Sequence, residues 1–280
     1  MTKIREVGSL CALDDKGYIV NQSDPEKINN KFREVIQLIN ESCLSALSKE
    51  IHSIYIRGSV PRGLDIEGIS DVDVIVVTYS NPQDIDLDWV EETQQFIDRK
   101  FHFIKGVELV FSPLSEFEES KYCSMIPFLL KTYGICVFGE NLINKLPDYK
   151  PDISLANEHL IHLTSLMDTA KQGLSGNNDI EDIKEWCSWV MRIIVRAGGV
   201  LVIDKEQSYT RDLFPAFELF SKHYPEKEQE MRVALWYSIN PLSSSEETLK
   251  FLSHFGKWIE AETEKWLNVY NPTREIHLPL

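Results

Sequence analysis

Two aspartates stand two residues apart at the head of an apolar run, and this spacing suits a metal site. Asp71 and Asp73 lead into residues 74–77, which are all β-branched. In a strand, residues i and i+2 point to the same face and lie about 7 Å apart. Two carboxylates so placed repel each other unless a cation lies between them. Oxygen ligands suit a hard divalent ion, and Mg²⁺ with a bound phosphate is the commonest arrangement of this kind.

A glycine and a serine ahead of the aspartates supply candidate phosphate-binding groups. Gly58 and Ser59 follow an apolar run at residues 54–56, and eleven residues separate Ser59 from Asp71. A glycine lets the backbone approach a phosphate closely, and a serine offers both a hydroxyl and an N–H to phosphate oxygens. Gly58 and Ser59 are therefore predicted to bind the phosphates that accompany the metal.

A third acid lies in a later strand-like run, residues 105–111, where Glu108 has apolar neighbours on both sides. Burying an acid on a strand costs several kcal/mol unless the acid is paired or bound to a metal. Glu108 is therefore the best candidate for the third metal ligand. The alternative interpretation is that Asp71 and Asp73 form a charge pair at a strand edge, and that Glu108 is a solvated acid on a half-exposed strand.

These features together resemble the signature of a known superfamily. The glycine–serine pair, the eleven-residue spacer, the two aspartates and the later single acid are similar to the motif of the DNA polymerase beta-like nucleotidyltransferases. Within that superfamily, the sequence most resembles the aminoglycoside adenylyltransferases of the streptomycin and spectinomycin type, whose third carboxylate is also a glutamate followed by apolar residues. The resemblance covers roughly the first 140 residues.

The resemblance implies a Mg²⁺-dependent transfer of AMP from ATP to a hydroxyl of a small acceptor, with release of pyrophosphate. An aminoglycoside antibiotic is the expected acceptor, so the expected role is antibiotic resistance. Asp71 and Asp73 would bind two Mg²⁺ ions, and Glu108 would bind the catalytic one and act as general base. The alternative is a nucleotidyltransferase that modifies a protein or tRNA in a toxin–antitoxin or stress system. A non-catalytic nucleotide-binding module is disfavoured, because such a module has no use for three converging acids.

Four cations are candidates for contact with the triphosphate. Arg57 and Arg62 bracket the glycine–serine pair, and Arg62 is preferred because it lies in the loop beside the predicted metal site. Residues 209–212 are similar to a segment in the helical domains of adenylyltransferase-like proteins, so Arg211 or Lys205 is expected to reach the departing pyrophosphate. For each cation, the alternative is an ordinary surface position or ion pair.

The composition narrows the class of partner. The chain has 29 basic and 44 acidic residues, a net charge of −15, which disfavours a nucleic-acid partner and favours a cationic small acceptor. Its five cysteines are odd in number and widely spaced, which predicts reduced thiols in a cytoplasmic protein. No signal sequence or run of eighteen apolar residues is present, so neither export nor a membrane span is expected. The sequence does not predict an oligomeric state.

The predicted elements place the motifs in an α/β domain that is followed by helices. A long helix from Ser23, two strands that flank the glycine–serine pair, a helix over residues 88–101 with Phe96 inward, and two further strands predict a small mixed sheet over residues 26–140. Residues 146–152 are the predicted linker. We therefore divide the chain into a nucleotidyltransferase domain, residues 1–148, and a helical substrate-binding domain of about five helices, residues 149–280.

Overall fold

Four strands form one mixed sheet within the described part of the chain. The computed structural model describes residue 4, residues 6–118 and residues 121–280. The strands stand in the order β3-β2-β1-β4, and β2 is parallel to β3, whereas β1 is antiparallel to both β2 and β4. Their bounds are β1 (Ile51–Arg57), β2 (Val72–Thr78), β3 (Val107–Pro113) and β4 (Ile135–Gly139).

Among the described residues, three helices accompany the sheet: α1 (Asn30–Leu47), α2 (Trp89–Lys100) and α3 (Met125–Tyr133). The apolar sides of α1 and α2 share one core with alternate residues of the strands, such as Ile56 and Val74. Because strand side chains alternate, the residues between these apolar ones point to the other face of the sheet. This alternation leaves the intervening positions on β1 and β2 free to carry polar side chains. The mixed sheet with helices confirms the predicted fold class.

Two details of these elements differ from the prediction. The long helix begins at Asn30 rather than near Ser23, because a separate 3-10 turn, Pro25–Lys27, precedes it and Asn29 accepts a hydrogen bond from the N–H of Lys31. In α2, Ile97 is buried but Phe96 is 53% exposed, so the prediction that Phe96 points inward is wrong. Adjacent residues on a helix are about 100° apart, and of this pair on α2 only Ile97 faces the core.

Residues 150–280 are helical, as predicted, but contain more helices than the periodicity indicated. The predicted helix over residues 155–174 is broken near His162, and the one over residues 246–270 contains a π-helical turn, Leu252–Gly256. Neither break contains proline, and the apolar period continues through both, so the sequence gives no sign of either break. The helices are α4 (Ile153–Leu160), α5 (Leu163–Leu174), α6 (Ile180–Val200), α7 (Ile203–Glu206), α8 (Leu213–His223), α9 (Glu228–Ile239), α10 (Ser245–Phe251) and α11 (Lys257–Tyr270).

The chain divides into two compact units. The sheet unit is Ala12–Tyr149, and the helical unit combines Met1–Cys11 with Lys150–Leu280. The start of the chain belongs to the helical unit because the N–H of Cys11 donates to the carbonyl of Tyr209 at 2.8 Å. Asp212 also accepts a hydrogen bond from the N–H of Ser9. The sequence-based division at residue 148 assigned this N-terminal arm to the other domain.

A partly buried histidine in the helical unit makes the stability of this unit sensitive to acid. His159 on α4 shares a 2.8 Å hydrogen bond with the Tyr209 hydroxyl. Burial, with the nearby Arg211 and Arg196 guanidinium groups, holds the pKa of His159 well below its usual value. The folded state therefore resists protonation, and stability is lost as the pH falls below the unfolded-state pKa of about 6.5.

We expect the free energy of unfolding to fall by up to about 1.4 kcal/mol per pH unit below about pH 6 through this one group. Thermal unfolding between about pH 8 and pH 5 measures the effect. The His159→Gln variant keeps a neutral partner for Tyr209 and should show a shallower decline. An unchanged decline in that variant would contradict the assignment.

In the part of the chain that the structure describes, no helix is both long enough and apolar enough to cross a membrane.

Candidate active site

The strand register brings distant charged residues into one row. Arg57 on β1 pairs with Asp73 on β2, and Asp73 pairs with Glu108 on β3. Directly paired residues on neighbouring strands point to the same face, and Asp71 lies two residues before Asp73. Each of the three acids offers a carboxylate oxygen, and these oxygens lie within 4.8 Å of one another. The structure therefore brings together the three acids that the sequence singled out.

The three acids differ in exposure. The Asp73 side chain is 14% exposed, whereas that of Glu108 is 57% exposed. Glu108 lies on β3, an edge strand of the sheet, so it reaches the aspartates from the solvent side. Glu108 was selected from the sequence on the expectation that its side chain is buried, and that expectation is wrong. What brings Glu108 to the aspartates is the pairing of β2 with β3.

The surroundings of Asp73 shift the pKa of its carboxyl group. Burial raises the pKa of Asp73 to about 7, and the neighbouring Asp71 and Glu108 carboxylates act in the same direction, while Arg57 opposes them. The Arg57 Nη2 atom lies 3.1 Å from Asp73 Oδ1 and 3.5 Å from Glu108 Oε2. One guanidinium group does not cancel the repulsion among three carboxylates. The cluster thus fits a further positive charge, and its all-oxygen donor set suits Mg²⁺.

The glycine–serine turn lies directly against the acids. Gly58 has a φ of +85°, and a Cβ placed on it would overlap Asp73 Oδ2. Ser59 begins a 3-10 turn, and its carbonyl accepts hydrogen bonds from the N–H groups of Arg62 and Leu64. The sequence indicated that Gly58 allows close approach of a phosphate. In the structure, the group that it admits is the Asp73 carboxylate.

The two arginines beside this turn have different surroundings. The Arg62 Nε–H donates to the Gly58 carbonyl at 3.0 Å, and its guanidinium carbon lies 5.2 Å from the centre of the Tyr133 ring. Arg57 instead contacts two of the acids. Arg62 was the preferred cation on sequence grounds, and the contact of Arg57 with the acids was not foreseen. Arg57 lies on the same face of β1 as Tyr55, and its pairing with Asp73 brings it to the acids.

Replacement of Gly58 by alanine should disturb the acids without removing any of them. The new Cβ would push the Asp73 carboxylate aside, and alanine is strained at a φ of +85°. We expect a loss of about 1–3 kcal/mol in the free energy of unfolding and a fall in activity of at least about 100-fold. Denaturant unfolding and steady-state kinetics measure the two effects. Gly68→Ala is the matched control, because Gly68 also has a positive φ but no atom lies close to its Cβ position. Equal activity in the two variants would contradict the steric argument.

The remaining predicted cations belong to the helical unit. Lys205 is an exposed residue of α7, and Arg211 is half-buried just before α8. The carbonyl of Arg211 accepts a hydrogen bond from Arg196 Nε at 3.2 Å. The neighbouring Thr210 donates its hydroxyl to the carbonyl of Ser9, so this segment anchors the N-terminal arm. The assignment of Lys205 and Arg211 to the triphosphate stays a prediction.

A mixed sheet with one aspartate on a strand, a second directly before that strand, a third acid on the next strand and a glycine–serine turn beside them is typical of a nucleotidyl-transfer site. Residues 36–158 match the family model described as nucleotidyltransferase domain. These residues are therefore similar to a nucleotidyltransferase domain, which supports a transferase enzyme.

The chain was also compared with solved structures and with curated proteins. A crystal structure of spectinomycin adenyltransferase AAD(9) from Enterococcus faecialis with ATP and spectinomycin is similar to this chain, with 14% sequence identity and a TM-score of 0.43. The similarity covers 83% of this chain and 99% of that one. No curated protein gives a significant sequence match.

Proposed function

We propose that the protein transfers AMP from ATP to a hydroxyl of a small cationic acceptor of the aminoglycoside class and releases pyrophosphate. The observation that carries the proposal is the convergence of Asp71, Asp73 and Glu108 within a nucleotidyltransferase domain. Oxygen ligands in such a cluster are suited to divalent ions that carry phosphate. The aminoglycoside class follows from the sequence resemblance and from the net charge of −15, which attracts cations.

The three acids have distinct proposed roles. Asp71 and Asp73 would hold two Mg²⁺ ions, and Glu108 would contribute to the catalytic one. When bound, Mg²⁺ would supply positive charge beside the α-phosphate and the attacking hydroxyl. Glu108 accepts the proton of that hydroxyl. Its exposure at the sheet edge supports this role, because an acceptor molecule can approach an exposed carboxylate directly.

The phosphates are the proposed ligands of the turn that follows β1. Gly58 and Ser59 offer N–H groups and a hydroxyl to the β- and γ-phosphates. Arg62, which is held against this turn, adds a positive charge. Lys205 and Arg211 are the proposed cations of the helical unit for the departing pyrophosphate. Their replacement should weaken turnover more than it weakens folding.

The experiment that tests the proposal uses ATP labelled in separate positions. Purified protein is incubated with Mg²⁺ and a panel of aminoglycosides, with either α-labelled or γ-labelled ATP. Label from the α-position should appear on one class of acceptor, and label from the γ-position should appear only in pyrophosphate. Parallel reactions with tRNA and with protein extract test the alternative acceptors. Transfer of the γ-label to the acceptor, or α-label only on RNA or protein, would contradict the proposal.

A further inference from the structure

Arg57 occupies the place among the acids where a cation is needed. Its guanidinium contacts both Asp73 and Glu108, and its side chain is only 12% exposed. An arginine between two carboxylates offsets part of their repulsion and fixes their separation. The arrangement of acids in the structure is therefore one that Arg57 helps to maintain.

Each oxygen of the Asp73 carboxylate has a close neighbour in this arrangement. Oδ1 faces Arg57, and Oδ2 lies against the Cα of Gly58, where even a methyl group would not fit. A divalent ion binds through such carboxylate oxygens. Because like charges repel, an ion that takes Asp73 as a ligand competes with the Arg57 guanidinium for this carboxylate.

We propose that Arg57 is an internal countercharge, which holds Asp73 and Glu108 together before metal binds, competes with the divalent ion for them, and then turns to the nucleotide phosphates. This inference rests on the proposed function, because it takes the three acids as the metal site. It makes Arg57 a positioning residue that couples metal binding to nucleotide binding. The free enzyme would then bind a divalent ion weakly and the nucleotide-bound enzyme would bind it more tightly.

The remaining hydrogen-bond donors of Arg57 support its proposed turn toward the nucleotide phosphates. Its Nε–H is buried and has no hydrogen-bond partner in the part of the chain that is described. A buried donor without an acceptor is unfavourable, and a planar guanidinium forms paired hydrogen bonds with phosphate oxygens. Arg57 also directly precedes Gly58 and Ser59, the turn proposed to hold those phosphates. A bound nucleotide would give Arg57 new acceptors as the metal takes its carboxylates.

The test is a titration of the full-length protein with Mn²⁺, followed by the loss of the free-ion electron paramagnetic resonance signal. Wild type, Arg57→Met and Arg99→Met are compared with and without α,β-methylene ATP. Arg99 on α2 is an exposed arginine that contacts the carbonyl of Gln95, so its variant controls for net charge. Without nucleotide, Arg57→Met should bind Mn²⁺ at least about tenfold more tightly than wild type, whereas Arg99→Met should match wild type. The nucleotide should tighten Mn²⁺ binding more in wild type than in Arg57→Met.

Equal or weaker Mn²⁺ binding by Arg57→Met would overturn this inference and leave the proposed function standing. An equal effect of the nucleotide on both proteins would overturn it too. Absence of Mn²⁺ binding by every protein would overturn both proposals. If Arg57→Met does not fold alone, millimolar Mn²⁺ should restore a cooperative thermal transition, because the ion replaces the missing charge. If Mn²⁺ restored a cooperative transition in neither Arg57→Met nor Arg57→Gln, the proposed role of Arg57 as a countercharge would also be rejected.

Discussion

Replacement of Asp73 by asparagine is expected to reduce kcat by roughly 1,000-fold or more while the protein stays folded. Asp73 is the central acid of the row, paired with Arg57 on one side and with Glu108 on the other. Asparagine has nearly the same shape and bears no charge, so the loss is one of metal binding rather than of packing. Steady-state kinetics with saturating Mg²⁺ and thermal unfolding measure the two quantities.

Asp84→Asn is the matched control for this substitution. Asp84 is an exposed residue of a 3-10 turn in the same unit, and it lies outside the carboxylate cluster. Its variant should keep activity within about twofold of wild type, since isolated surface substitutions have small effects. Substantial turnover by Asp73→Asn would remove the carboxylates from the mechanism. Equal loss in both variants would point to a general effect of charge instead.

Replacement of Glu108 by glutamine should lower kcat by roughly 100- to 10,000-fold. The substitution removes a proposed metal ligand and the proposed general base at once, but it leaves Asp71 and Asp73 in place. We therefore expect a much larger effect on kcat than on the KM for ATP. Because Glu108 is exposed on an edge strand, the midpoint of thermal unfolding should change by only a few degrees.

The control for Glu108→Gln is Glu92→Gln, at an exposed position of α2 in the same unit. It removes the same charge outside the cluster and should leave kcat unchanged. If Glu108→Gln raised only the KM for ATP, Glu108 would be a binding residue and the base would have to be another group. A large loss of stability in Glu108→Gln would show that the edge strand depends on its contact with Arg57.

Which elements form was predictable wherever a clear apolar period was present, although the start of α1 at Asn30 was not. The sheet and α1 follow from β-branched runs and from three- and four-residue apolar spacing, and they are confirmed. The breaks inside residues 155–174 and 246–270 were not predictable, because the apolar period continues across them. The placement of the N-terminal arm depends on Thr210 and Asp212, about 200 residues away. Such a contact leaves no local pattern.

The candidate site was predictable in its membership and less so in its internal contacts. Asp71 and Asp73 share a face because of their spacing alone. The position of Glu108 depends on which residue of β3 pairs with Asp73, and that register is a property of the folded sheet. The choice between Arg57 and Arg62 likewise depends on which side chain ends opposite Asp73. Two arginines five residues apart in a sequence give no basis for that choice.

The parallel pairing of β2 with β3 has a consequence for how this domain can diversify. If Val107 keeps its pairing with Val72, an insertion of one residue between Val107 and Glu108 would turn the glutamate to the opposite face of the sheet. The connection from β2 to β3 contains α2 and its loops. Residues added to these loops lengthen the connection and leave the strand pairing unchanged. Libraries that vary the length of this connection should therefore still yield active enzymes. Libraries that vary the length of β3 should yield folded proteins that are inert.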